Sequence, residues 1–192
     1  MGQYYSVVNV DKRQVLCPYD FGCGVKLTEF SWDHTKLPLA LYTLIGSGQW
    51  MGDRVLVVGD YAYFDLIPKN VWDPDNEVIC DGKTPYNYAD ENFKMLSPQD
   101  IPEPLTSYRY MFNTKEKTFV DVKHMPVSSL FDGHSMAPLP LLLAVGNGEG
   151  GGDYYGVNRE NIGAWVSSCD AIVLSNDMLY PEFSEFFPGF CE

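Results

Sequence analysis

Basic residues are scarce in this chain: 13 Lys and Arg stand against 26 Asp and Glu in 192 residues, and no Lys or Arg follows Arg159. The resulting formal net charge of −13 repels a nucleic-acid backbone and an anionic lipid surface, so neither nucleic acid nor membrane is expected as a partner. Acids outnumber bases in both halves of the chain, which reads as a solubilising surface in preference to nucleic-acid mimicry or the capping of a basic partner. Long apolar runs are missing too. No stretch approaches the roughly 18 apolar residues of a membrane span, and the opening MGQYYSVVNV lacks a basic region followed by an apolar one. A soluble, cytoplasmic protein is expected. Gly2 and Ser6 fit the pattern for N-myristoylation, but Tyr4 and Tyr5 between them read as the start of a strand.

Cysteine is present but unpatterned. Five cysteines, an odd number with no CxxC pair, fit reduced thiols better than a disulfide framework. Cys17 and Cys23 are spaced too widely for a zinc knuckle, and His34, His124 and His134 include no i, i+4 pair. No metal and no cofactor is expected.

Against these absences stands one excess: six of the 17 glycines fall within eleven residues, Gly146 to Gly156. Such a stretch marks a backbone that needs unusual freedom or close approach. The rest of the chain is ordinary, 45% hydrophobic and 15% aromatic, and long enough to bury a full core.

Residues 3–16 read as a hairpin, KLPLALYTLIG as a short helix stopped by Gly46, and RVLVVGD as a buried strand. Beyond a Pro- and acid-rich connector with a short helix around Asn87 to Leu96, the same series returns. SYRYMFNTKEKTFVDV repeats the hairpin, PLPLLLAVGNG the helix, Gly163 and Trp165 repeat Gly48 and Trp50, and AIVLSND repeats the strand. Five features in one order indicate an internal repeat. The expected fold is therefore α+β, a mixed sheet with short helices, its two pseudo-repeated halves packed as one compact domain. The units are 1–66, a connector 67–105, a second unit 106–178 that holds the glycine-rich insertion, and an aromatic, acidic tail 179–192, expected to dock on its own core.

The glycine stretch contains GxGxxG at Gly146, Gly148 and Gly151. A dinucleotide site needs that pattern between a strand and a helix N-terminus. Here the repeat places it after a helix, whose C-terminal partial charge, with Glu149 and Asp153, disfavours phosphate. Asn147, Glu149 and Asp153 could offer oxygen ligands to calcium, but one such turn does not make a site. VLVVGD resembles the strand of calcineurin-like metallophosphoesterases, whose other motifs are missing. Cys169 with His134, or Ser135 beside it, gives only a nonspecific hint of a hydrolase.

MGQYYSVVNVDK at the start and PLPLLLAVGNGEGGGDYYG at 138–156 resemble two stretches shared by a group of uncharacterised, mostly bacterial proteins of similar length. The resemblance implies a distinctive loop and carries over no activity. The expected function is a non-catalytic binding or interaction protein, immunity-like or regulatory, with an acidic surface and the loop 146–156 facing a protein or small polar ligand. The alternative is a small hydrolase with its pocket at that loop, dependent on a divalent cation in one version. The candidate binding residues are Asn147, Glu149, Gly150, Gly151, Gly152, Asp153, Tyr154, Tyr155 and His134.

Overall fold

The run YSVVN forms strand β1 (Tyr5–Asn9), buried along its whole length in the computed structural model, which describes residues 2–76, 82–128, 133–146, 148, 154 and 158–189. A tight turn closed by Arg13 at φ 52° returns the chain as β2 (Gln14–Leu16). After a single turn of helix, α1 (Leu27–Phe30), comes α2 (Lys36–Gly46) over the span that its apolar spacing predicts. Pro38 is accommodated because the first-turn N–H groups of a helix have no intrahelical acceptor. α2 ends at Gly46, where the sequence places its stop, and a Cβ on that glycine would lie 2.1 Å from the Tyr108 hydroxyl, so it also permits close packing.

Strand β3 (Val55–Gly59) then pairs antiparallel with β1. The span expected as a connector with one short helix holds that helix, shifted toward its start. Thr84 accepts a hydrogen bond from the Asn87 amide and Pro85 opens α3 (Pro85–Asn92), which packs on β1, β2 and β3. β4 (Lys94–Met95) follows it and pairs parallel with β2.

The second hairpin is β5 (Tyr110–Asn113) and β6 (Thr118–Asp121), its turn closed by Lys117 at φ 54°. It leads to α4 (Pro138–Leu142), β7 (Ala144–Val145), β8 (Ile172–Ser175) and β9 (Ser184–Glu185). The first sheet runs β4-β2-β1-β3-β7 and the second β8-β5-β6-β9. The succession β4-β2-β1-β3 matches β9-β6-β5-β8 in order and in the sense of every pair. The helices cross over: α2 lies against β8 and α4 against β3. One apolar core therefore spans both sheets, with Leu37, Leu41, Trp50, Val57, Leu139, Trp165 and Ile172 in it. The fold is α+β, two mixed sheets with short helices in one compact domain.

In the second sheet, alternation divides the faces. Met111, Val120, Ile172 and Leu174 join the main core. Tyr110, Phe112 and Phe119 point the other way, where Tyr180 and Phe183 cover them, stacked on each other at 4.6 Å. The tail thus docks through these rings and through Phe186 against Trp165, while Phe187 is 55% exposed. Phe190 lies outside the described residues. Among the described residues no helix is long and apolar enough to cross a membrane.

Candidate functional site

The glycine stretch follows a strand, which corrects the expectation of a helix running to Gly146. α4 ends at Leu142, and Ala144–Val145 is drawn onto the open edge of β3, parallel to it, with Val57 opposite Ala144 and Val58 opposite Val145. Tertiary pairing with β3 here overrides the local helical preference. The carbonyls of Leu141 and Leu142 accept from the amides of Gly163 and Trp165, each at 2.9 Å, so much of the charge at the end of α4 is already satisfied. Helix polarity therefore gives no ground against phosphate in this geometry.

The carboxyl ends of β3 and β7 lie side by side at Gly59 and Gly146. Fully buried Gln3 is wedged against both: a Cβ on Gly59 would come within 2.3 Å of its amide, and one on Gly146 within 2.3 Å of the Tyr5 hydroxyl. With its amide assigned from the hydrogen-bond network, Gln3 accepts from Tyr61 and Ala62 at 3.0 and 3.2 Å and donates to the Tyr5 hydroxyl at 2.7 Å. This network fixes the strand ends.

A cavity of about 280 Å³ opens there. Ala144, Val145 and Gly146 form one wall and Leu66, Ile162 and Val166 supply apolar surface, with Gly163, Tyr154 and Arg159 completing it. Gly163 sits at φ 76°, and a Cβ on it would meet the Ala144 carbonyl at 2.7 Å, so the wall is built on close backbone approach. The Arg159 guanidinium stands 5.4 Å from the centre of the Tyr154 ring. Arg159 is exposed and, among the described residues, has no carboxylate partner.

Of the residues that the sequence singles out, Tyr154 lines this cavity, and neighbouring Gly148 takes φ 67° against the Tyr154 ring. Asn147, Glu149, Gly150, Gly151, Gly152, Asp153 and Tyr155 lie outside the described residues. His134 does not line the cavity. It lies in the segment ahead of α4, where its Nδ1 is 2.9 Å from Asp33 Oδ1, and the His34 ring is 3.9 Å away, centre to centre.

Neither nucleophile hinted at by the sequence is set up for attack. Cys169 is 1% exposed, and burial, reinforced by neighbouring Asp170, pushes its thiol up to about 12. Ser135 donates its hydroxyl to Asp33 Oδ2 at 3.1 Å and makes no hydrogen bond to His134. Burial alone would raise the Asp33 carboxyl, but the Ser135 amide and hydroxyl, with His134, hold it below the usual carboxylate range.

Two signals for these sites were present in the sequence. HTKLPL at His34 and HSMAPL at His134 place a histidine four residues before Pro38 and Pro138, which would have paired the two rings. Arg159, the last base of an acidic chain, could have been flagged for its isolation. Comparison with protein-family models, curated proteins and solved structures returned no significant match.

Proposed function

We propose that the protein is a non-catalytic binding protein, and that its ligand site is the cavity at the carboxyl ends of β3 and β7. The observation that carries this is the combination of Arg159, which has no carboxylate partner among the described residues, with apolar walls at the open end of a parallel strand pair. In open α/β sheets ligands bind in the crevice outside the carboxyl ends of parallel strands, and the β3–β7 pair presents such an end here. The cavity is small, with apolar Leu66, Ile162 and Val166 beneath one cation. That lining suits a small polar ligand with a short apolar body and an anionic head, such as a carboxylate, held by the guanidinium. Binding without chemistry is the better reading, since no described group pairs a nucleophile with a base at this cavity.

The matched strand orders, the left-handed Arg13 and Lys117 in the two turns, and the exchanged helices α2 and α4 support reading the chain as a duplicated unit. In that reading the second unit became the ligand-bearing one when its glycine loop expanded.

The test is a titration of isotope-labelled protein with butyrate and, separately, with butyramide, following backbone amide resonances. The acid should shift Ala144, Val145, Gly146 and Gly163, the amide should not, and Arg159→Gln should remove the response. Equal responses to acid and amide, or none at millimolar acid, would sink the proposal.

A further inference from the structure

Outside the cavity, the segments ahead of α2 and α4 meet in a second constellation. We propose that Asp33, His34 and His134 form a binding site for a borderline divalent cation of the Zn²⁺ or Co²⁺ class, joining the two halves of the chain. It shares no residue with the cavity and stands whether or not the cavity binds a ligand.

The donor atoms converge. Asp33 Oδ1 lies 2.9 Å from His134 Nδ1 and 3.5 Å from His34 Nδ1, and one ligand atom from each residue lies within 4.8 Å of the others. Ligands at the usual zinc–nitrogen length stand about 3.3 Å apart around a tetrahedral ion. Small rotamer adjustments therefore suffice to close the three onto one centre.

The set is also held from behind. Asp33 Oδ2 accepts from both the amide and the hydroxyl of Ser135, each at 3.1 Å. The carboxylate is thereby turned so that its other oxygen faces the imidazoles, the outer support that metal ligands need. The backbones are tied as well: Trp32 bridges Met136, the Asp33 amide donates to the Ser135 carbonyl at 3.0 Å, and that of Ala137 to the Ser31 carbonyl at 2.8 Å.

Chemistry selects the class of ion. Two imidazoles and one carboxylate suit zinc, cobalt, nickel or iron better than the oxygen-seeking calcium and magnesium. The side chains of Asp33, His34 and His134 are 39, 51 and 40% exposed, which leaves room for water to complete the coordination. The chain's negative charge further favours a cation.

Tag-free, chelator-treated full-length protein, titrated calorimetrically with Zn²⁺, should take up one ion per chain. His34→Gln and His134→Gln should each weaken binding at least about tenfold, and Ser135→Ala, which removes the outer hydroxyl and leaves the Ser135 amide on Asp33, by a smaller factor of no more than about tenfold. The Co²⁺ adduct should show visible d–d absorption without a thiolate charge-transfer band. Each metal-free variant is checked for a cooperative thermal transition; should His134→Gln not fold, His34→Gln, whose side chain is half exposed, decides the matter alone. No uptake at stoichiometric Zn²⁺, undiminished uptake in the histidine variants, or a thiolate band that assigns the ion to cysteine would overturn the proposal.

Discussion

Asn113 and Asn9 hold corresponding places at the ends of the first strands of their hairpins, but only Asn113 reaches a buried side chain with no other side-chain partner among the described residues. Asn113 Nδ2 donates to Ser168 Oγ at 2.7 Å, and its Oδ1 accepts from the turn amides of Lys115 and Glu116. Asn9 Nδ2 donates to Asp53 at 2.8 Å while its Oδ1 accepts from Lys12. Asp53 is also held by the Lys12 ammonium, whereas Ser168 is 2% exposed and has no other described side-chain partner.

Truncating the two asparagines should therefore have unequal effects. Asn113→Ala leaves a buried hydroxyl and two turn amides without their acceptor or donor, a loss of about 1–3 kcal/mol. Asn9→Ala should cost less, because Asp53 keeps Lys12 and its access to water. Urea unfolding at constant slope measures both. An Asn9 variant as damaged as the Asn113 variant would contradict this account.

The close approach at Gly163 makes a second, sharper comparison. Gly52 and Gly163 both lie in the left-handed region, at φ 79° and 76°, but a Cβ on Gly52 meets nothing within 4 Å. Gly52→Ala should cost only the backbone preference, about 1–2 kcal/mol. Gly163→Ala adds a collision with the Ala144 carbonyl, an overpacking penalty of about 1–3 kcal/mol more. Because that carbonyl belongs to β7, the variant should also alter the amide resonances of Ala144 and Val145. Equal midpoints for the two variants would show that the wall yields freely.

The sequence disclosed those elements whose partners are local. The apolar spacing of α2 and the unbroken VLVVG of β3 were legible because burial there follows from pattern alone. α4 is shorter than its sequence suggests, since nothing in PLPLLLAVG reveals that β3 offers an open edge to Ala144 and Val145; a distant strand overrides local preference. The short helix in the Pro-rich connector is legible too, though its start is not where the sequence suggests: Thr84 and Pro85 open it two residues before Asn87. In the candidate sites, Tyr154 is legible because the glycines beside it are conspicuous. His34 is not, because its partners, Asp33 aside, lie about a hundred residues away and only the matched HTKLPL and HSMAPL segments connect them.

The attachment of the tail should depend on pH through His124. Its Nδ1 lies 2.6 Å from Glu185 Oε1, and β9, which carries Glu185, pairs with β6. The hydrogen bond and the charge of Glu185 raise the His124 pKa above its ordinary 6.5. A histidine with a raised folded-state pKa contributes stability in full below its unfolded value, and that contribution fades as pH rises through the folded one. Nearby Asp121, paired with Arg109, is not the source of a change in this range: although burial opposes it, the guanidinium holds its carboxyl below the usual range, so its contribution is lost only in acid. Hydrogen exchange of Ser184 and Phe186, whose amides bond to the Lys117 and Phe119 carbonyls, should therefore lose protection, after correction for intrinsic rate, as pH rises from about 6 to above the folded value. His124→Gln should flatten that dependence while the main core, at Val57 and Leu139, stays protected. Protection that is independent of pH in the native protein, or equally dependent in the variant, would show that the aromatic stack of Tyr180 and Phe183 holds the tail without help from the ion pair.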